Sequence, residues 1–71
     1  MNNIEPKFSK GDCIDNTLTN EKYKIRNIRY DKTLADIVYQ VQHYRFKFNM
    51  SDIPESVILR NIERNRMKVE K

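Results

Sequence analysis

From Ile37 to Met50 the chain alternates apolar and polar residues almost without a break, and a period of two dictates sheet rather than helix. Ile37, Tyr39 and Val41 fall on one parity against Val38, Gln40 and Gln42. Gln42-His43 leaves room only for a tight reversal, after which Tyr44, Phe46, Phe48 and Met50 alternate with Arg45, Lys47 and Asn49. A slip of one residue would turn four large side chains from core to water, so the register of such a pair is strongly specified. The pattern predicts an antiparallel hairpin of strands 36–42 and 44–50, with Tyr39, Val41, Phe46 and Phe48 buried.

The rest of the chain fits around that hairpin. Seventy-one residues supply one thin core, since a chain this short buries only about 60% of the surface it exposes when unfolded. A hydrophobic share of 38% beside 34% charged residues is polar for a folded domain. The apolar residues nevertheless cluster between Tyr23 and Ile62, which favours folding over disorder. Residues 1–7 read as a flexible arm and 8–66 as a single small domain. The only glycine, Gly11, sits between the apolar anchors Phe8 and Ile14, where a residue without Cβ can turn the chain into a first strand at 12–15. The stretch 15–22 is a polar connection rich in Asn, Asp and Thr. In the next strand, 23–30, Tyr23 and Ile25 share one parity while Ile28 and Tyr30 share the other, so a bulge or bend near Arg26-Asn27 is needed to keep both pairs inward.

The period changes after Met50. Asp52 can cap, Pro54 suits a first helical turn and Glu55 completes a capping-box spacing, so a helix is expected over 53–65, with a frayed tail at 67–71. Ile53, Val57, Ile58 and Ile62 recur at helical spacing, which favours the helix, with a short closing strand over Val57 to Leu59 as the alternative.

The opening Phe8-x-x-Gly11-Asp12-x-Ile14, followed by a bent strand with Tyr23-Lys24-Ile25 and a Tyr39-Gln40-Val41 strand, resembles small SH3-like β-barrel proteins, many of them from bacteriophages and mobile elements. The resemblance spans Phe8 to about Met50. It implies a mainly β fold with some helix, either a small bent antiparallel sheet or an SH3-like partial barrel, here followed by a C-terminal helix. It also implies an accessory protein that acts by binding.

The inventory for chemistry is short. Cys13 and His43 are single, whereas structural zinc takes four nitrogen or sulfur ligands in closely spaced pairs, so no metal site is expected. Gly11 alone makes no phosphate loop, and a thin domain has little depth in which to raise a carboxylate pKa. Cys13 reads as a small core residue, His43 as a solvated turn residue, and Asp12 and Asp15 as organisers of the first turn. The chain is therefore read as no enzyme, with no catalytic residues and no cofactor.

Two surfaces remain. On the outer face of the expected sheet, Lys24, Arg26, Arg45 and Lys47 flank Gln40 and Gln42, a basic rim around hydrogen-bonding side chains that suits phosphates and base edges. On the helix, Val57-Ile58-Leu59 is too long an apolar run for one buried stripe, leaving Leu59 and Ile62, rimmed by Arg60 and Arg64, as a docking patch for a partner or a second copy. The leading expectation is a protein-binding module of phage type that blocks or redirects a host protein. The alternative is sequence-tolerant nucleic-acid binding, consistent with the net charge of +4. No apolar run approaches a membrane span and Met1 to Lys10 lacks an apolar core of the signal type, so the expected location is the cytoplasm, that of the host if phage-encoded, without membrane contact.

Overall fold

The computed structural model describes residues 5–46 and 48–70; residues 1–4 of the expected arm, Lys47, and Lys71 at the end of the tail lie outside the described residues. The chain forms an open five-stranded antiparallel sheet and one helix. In order these are β1 (Cys13–Asn16), β2 (Glu21–Asp31), β3 (Asp36–His43), β4 (Met50–Pro54), α1 (Glu55–Glu63) and β5 (Met67–Glu70). The sheet order is β4-β3-β2-β1-β5. The helix packs on β3, β4 and β5, so it fills the gap between the two edge strands that the sheet leaves open. Among the described residues no helix is long and apolar enough to cross a membrane.

Turn chemistry sets the strand ends. Gly11 adopts φ +92°, in the region that favours glycine, and the Asp12 carboxylate accepts the Ser9 N–H at 2.9 Å. Asn16 Oδ1 accepts from the N–H groups of Leu18 and Thr19 at the β1–β2 turn, and Asp31 Oδ1 from those of Thr33 and Leu34 at the β2–β3 turn. The register of β2 against β3 shifts between Ile25 and Asn27. This shift puts both Ile25, opposite Val41, and Ile28, opposite Tyr39, on the inner face despite their opposite parity.

That face carries the core: Ile14, Tyr23, Ile25, Ile37, Tyr39, Val41, Ile58 and Met67, with Phe8, Ile28, Ile53, Ile62 and Val69 packed around it. Tyr39 is fully buried, and its hydroxyl donates to Glu55 Oε1 at 2.6 Å while accepting the Phe8 N–H at 3.3 Å. The same Glu55 oxygen accepts the Lys7 N–H, so the expected flexible arm is tied down at its inner end.

The expected strand over 44–50 does not form. β3 pairs instead with Met50–Pro54, setting Val41 against Ser51 and Tyr39 against Ile53. Residues 44–46 and 48–49 lie outside any strand, with His43 N–H bonded to Asn49 O and Asn49 N–H to Phe46 O. Phe46 and Phe48 are therefore exposed, at 56% and 100%. Space and connectivity decide this. β4 runs straight into α1, and only the pairing through 50–54 lets Glu55 reach the Tyr39 hydroxyl. Pro54 also lies in an edge strand, where its missing N–H breaks no ladder.

The helix spans Glu55–Glu63 rather than 53–65, with Pro54 in the N-cap position and no side-chain cap of its own. Asp52, expected to cap, sits in β4 and pairs with Arg29 at 3.3 Å. Asp36, at the start of β3, takes over: its Oδ2 accepts from the Ser56 N–H at 3.2 Å and the Ser56 hydroxyl at 2.7 Å. The Ser56 hydroxyl, more than any other group, holds the Asp36 carboxyl below its usual pKa. The helix stops because Asn65 turns left-handed, φ 59°, with Asn65 N–H bonded to Ile62 O and Arg66 N–H to Asn61 O. Thr17 then binds the carbonyls of Asn65 and Arg66 and sends the chain back along β1. The expected frayed tail is thus a strand, Met67–Glu70, paired with β1 and burying Met67.

Ile58→Ala should lower unfolding free energy by about 2–5 kcal/mol, because Ile58 is enclosed between helix and sheet. Phe46→Ala should change it by no more than about 0.5 kcal/mol, as surface substitutions do. Urea unfolding of the two variants checks both values. Burial, and then the hydrogen bond to Glu55, raises the Tyr39 phenol well above its ordinary value; burial, and then Glu21, pushes Tyr23 up to about 12. A raised folded pKa contributes stability that is complete below the unfolded value near 10 and is lost as pH rises beyond it. Stability should therefore hold to about pH 10 and fall between roughly pH 10 and 12, in step with tyrosinate absorbance.

Candidate nucleic-acid interface

The outer face of the sheet is read from the register. Cys13 lies between Lys24 and Glu70, Asp15 between Lys22 and Lys68, Lys24 opposite Gln42, Asn27 opposite Gln40, Gln42 opposite Met50 and Gln40 opposite Asp52. Polar residues occupy this face because β2 and β3 spend their apolar side chains on the other. Val38, buried here opposite Arg29 and Pro54, is the apolar exception within β3.

Of the expected nucleic-acid residues, Lys24, Arg26 and Gln42 come together. With His43 and Tyr44 they line an open hollow of about 470 Å³. Gln40 lies two register pairs farther along and lines a separate shallow recess with Asn27, Ile28 and Arg29. Arg45 stands in the loop, its guanidinium 5.9 Å from the centre of the Phe46 ring. Lys47 lies outside the described residues. Among the described residues, Lys24, Arg26 and Arg45 make no salt bridge, whereas Arg29 is neutralised by Asp52. A further hollow mixes Asp15, Glu21 and Glu70 with Lys22 and Lys68, three carboxylates against two cations, which disfavours an anionic ligand.

Tyr44 is the residue that the alternation misplaced. Expected on the inner parity, it is 44% exposed and its hydroxyl meets Cys13 Sγ at 2.8 Å. Its N–H donates to Lys22 O, which fixes the backbone at the point where the loop leaves the sheet. The contact with Cys13 is the largest cause of the raised Tyr44 pKa. Cys13 is correspondingly on the outer face and not a core residue. His43, expected as a solvated turn residue, is half-buried in β3: Nε2 lies 2.9 Å from Ser51 Oγ, the ring packs edge-on to Tyr23 at 4.6 Å, and Nδ1 is 3.9 Å from Glu21.

The helix patch divides. Ile58 makes the buried contact with the core and Ile62 packs at its margin, while Leu59 is half-buried and Arg60 and Arg64 are exposed. Among the described residues no group of His, Cys, Asp and Glu is placed to hold a metal ion. The signal for the exposed loop was present in the interleaving of Tyr44-Arg45-Phe46-Lys47-Phe48, because aromatic and basic residues in turn describe a nucleic-acid surface as readily as a half-buried strand.

No protein-family model matches the chain, and no curated protein or solved structure does either.

Tyr44→Phe removes the oxygen that covers Cys13 and leaves the ring. Alkylation of Cys13 should then accelerate while thermal unfolding stays in place; equal rates in both proteins would show that the hydroxyl does not shield the thiol in solution.

Proposed function

We propose that this is a non-catalytic binding module whose outer sheet face holds the phosphate backbone of nucleic acid with little regard to sequence. One observation carries the reading: Lys24 and Arg26, cations without a salt-bridge partner among the described residues, border the same hollow as Gln42 and Tyr44. Cations that no carboxylate neutralises are the ones that release counterions from a polyanion, and this release supplies most of sequence-tolerant affinity. Gln42 and the nearby Gln40 offer amide groups to sugar and base edges. Arg45, at the mouth of the loop, extends the basic rim. The SH3-like kinship drawn from Phe8, Gly11 and Asp12 belongs to the same proposal; the bend at Arg26 and the return of β5 to β1 are consistent with a partial barrel.

The expectation of a host-protein partner keeps one favourable observation. Leu59 is half-buried on a helix whose contact with the core runs through Ile58, so an apolar side chain remains accessible beside Arg60. Leu59→Asp would abolish such an association and leave nucleic-acid binding intact.

Fluorescence anisotropy with a labelled oligonucleotide separates the two. With Lys24, Arg26 and Arg45 each meeting one phosphate, the logarithm of affinity should fall against the logarithm of salt with a slope of about −2 to −3. Arg26→Ala should make that slope shallower by about one unit and weaken all sequences alike. Absence of binding at low salt would refute the phosphate reading and leave protein recognition.

A further inference from the structure

The geometry points to single-stranded nucleic acid as the ligand, with Tyr44, Phe46 and Phe48 supplying stacking platforms for unpaired bases. The inference rests on the phosphate reading of the outer face and adds what that reading lacks, a means of choosing a strand over a duplex.

Four large side chains within seven residues are exposed here: Tyr44 44%, Phe46 56%, Phe48 100% and Met50 44%. Leu18, Tyr30 and Leu34 stand exposed at separate points of the chain, whereas these three rings lie close together in sequence, and leaving them in water is costly unless something covers them. What covers them must tolerate cations, because Arg45 lies over the Phe46 ring and Lys24 and Arg26 stand beside Tyr44. Unpaired bases joined by phosphates meet both demands, since each base has a face to stack and each linker a charge to neutralise. The rings do not form one apolar wedge of the sort that enters a lipid surface. Tyr44 is turned onto the sheet and held there by Cys13 at one end and by the Lys22 carbonyl at its backbone, so its ring forms a wall of the basic hollow. A base placed against that wall has Gln42 within the same hollow and its phosphates beside Lys24 and Arg26. Phe46 and Phe48 follow Tyr44 closely in the chain and are exposed to receive further bases. In a duplex the bases are already stacked on one another and present only edges and backbone, so these rings would gain nothing.

The test uses the full chain with one labelled DNA sequence, presented as a single strand and as its duplex, an RNA strand of the same sequence, and anionic phosphatidylserine vesicles, all at low salt. Single strands should bind tighter than duplex. Phe48→Ala should weaken strand binding roughly 5- to 100-fold and leave duplex binding unchanged. Phe48→Trp should restore affinity and report stacking by loss of its fluorescence. Because Phe48 is wholly exposed, unchanged circular dichroism and melting of both variants are expected and keep the comparison valid. Equal affinity for strand and duplex, with no effect of Phe48→Ala, would overturn the stacking inference and leave the phosphate reading standing. Binding to neither nucleic acid would remove both. Phe48-dependent binding to vesicles without strand binding would assign the loop to a lipid surface. Equal affinity for the DNA and RNA strands is expected and would place recognition in base faces and phosphates; a preference above tenfold for either would overturn that assignment and make the sugar the recognised group.

Discussion

The hydroxyl of Tyr39 is the point at which the three parts of this small protein meet. It is fully buried at the centre of the inner face, donates to Glu55 on the first turn of α1, and accepts the N–H of Phe8, whose ring packs on its own at 5.6 Å. A buried phenol without a partner would cost more than its ring could return, and a carboxylate drawn in toward the core needs donors. Here each satisfies the other, with the Lys7 N–H completing the set. The consequence is geometric. Once Glu55 must lie over Tyr39, the residues before it have to run beside β3 at the matching height, which makes Met50–Pro54 the fourth strand and leaves residues 44–46 and 48–49 outside any strand.

That constraint explains which parts of the fold could be read from the residues and which could not. The glycine turn at Gly11, the bulge between Ile25 and Asn27 and the inward set of β3 follow from local rules: a positive φ, a change of parity, a period of two. Strand β4 does not, because Ser51 and Asp52 carry no apolar alternation, while Tyr44 to Met50 carry a perfect one. Period alone cannot distinguish rings that face a core from rings that face a ligand. What decided between them was a hydrogen bond spanning sixteen residues, from Tyr39 to Glu55. β5 was hidden for a related reason. Met67 and Val69 supply only two inward positions, too few for a pattern, and their strand is specified by the left-handed Asn65 and the grip of Thr17 on the end of the helix.

The candidate site was legible in its charges and not in its rings. Lys24, Arg26 and Gln42 could be placed on one face because β2 and β3 were correctly phased up to the bulge. The alternation assigned Tyr44 to the core, and the cysteine that positions it was read as a core residue as well. Both errors are errors of strand phase: Cys13 alternates with the buried Ile14 in β1, and the reversal expected at Gln42-His43 does not occur. β3 runs on to His43 without the expected reversal, so Tyr44, whose N–H bonds Lys22 O, continues the even parity of Gln40 and Gln42 and comes to the outer face.

The distribution of acids over the outer face shows why the basic hollow is confined to one corner. Toward β4, Asp52 pairs with Arg29; toward β5, Asp15 lies between Lys22 and Lys68, and Glu70 faces Cys13. A polyanion approaching from either side meets carboxylates, whereas Lys24 and Arg26 border a hollow that no carboxylate lines among the described residues. Such an arrangement gives a short site rather than a long track. Counterion release over a few phosphates yields modest affinity, so a surface this small gains selectivity mainly from contacts that do not depend on charge. Tyr44 borders that hollow and Phe46 and Phe48 stand exposed just after Tyr44 in the chain, so on the proposed reading the basic hollow and the aromatic residues act as one site rather than as two unrelated irregularities.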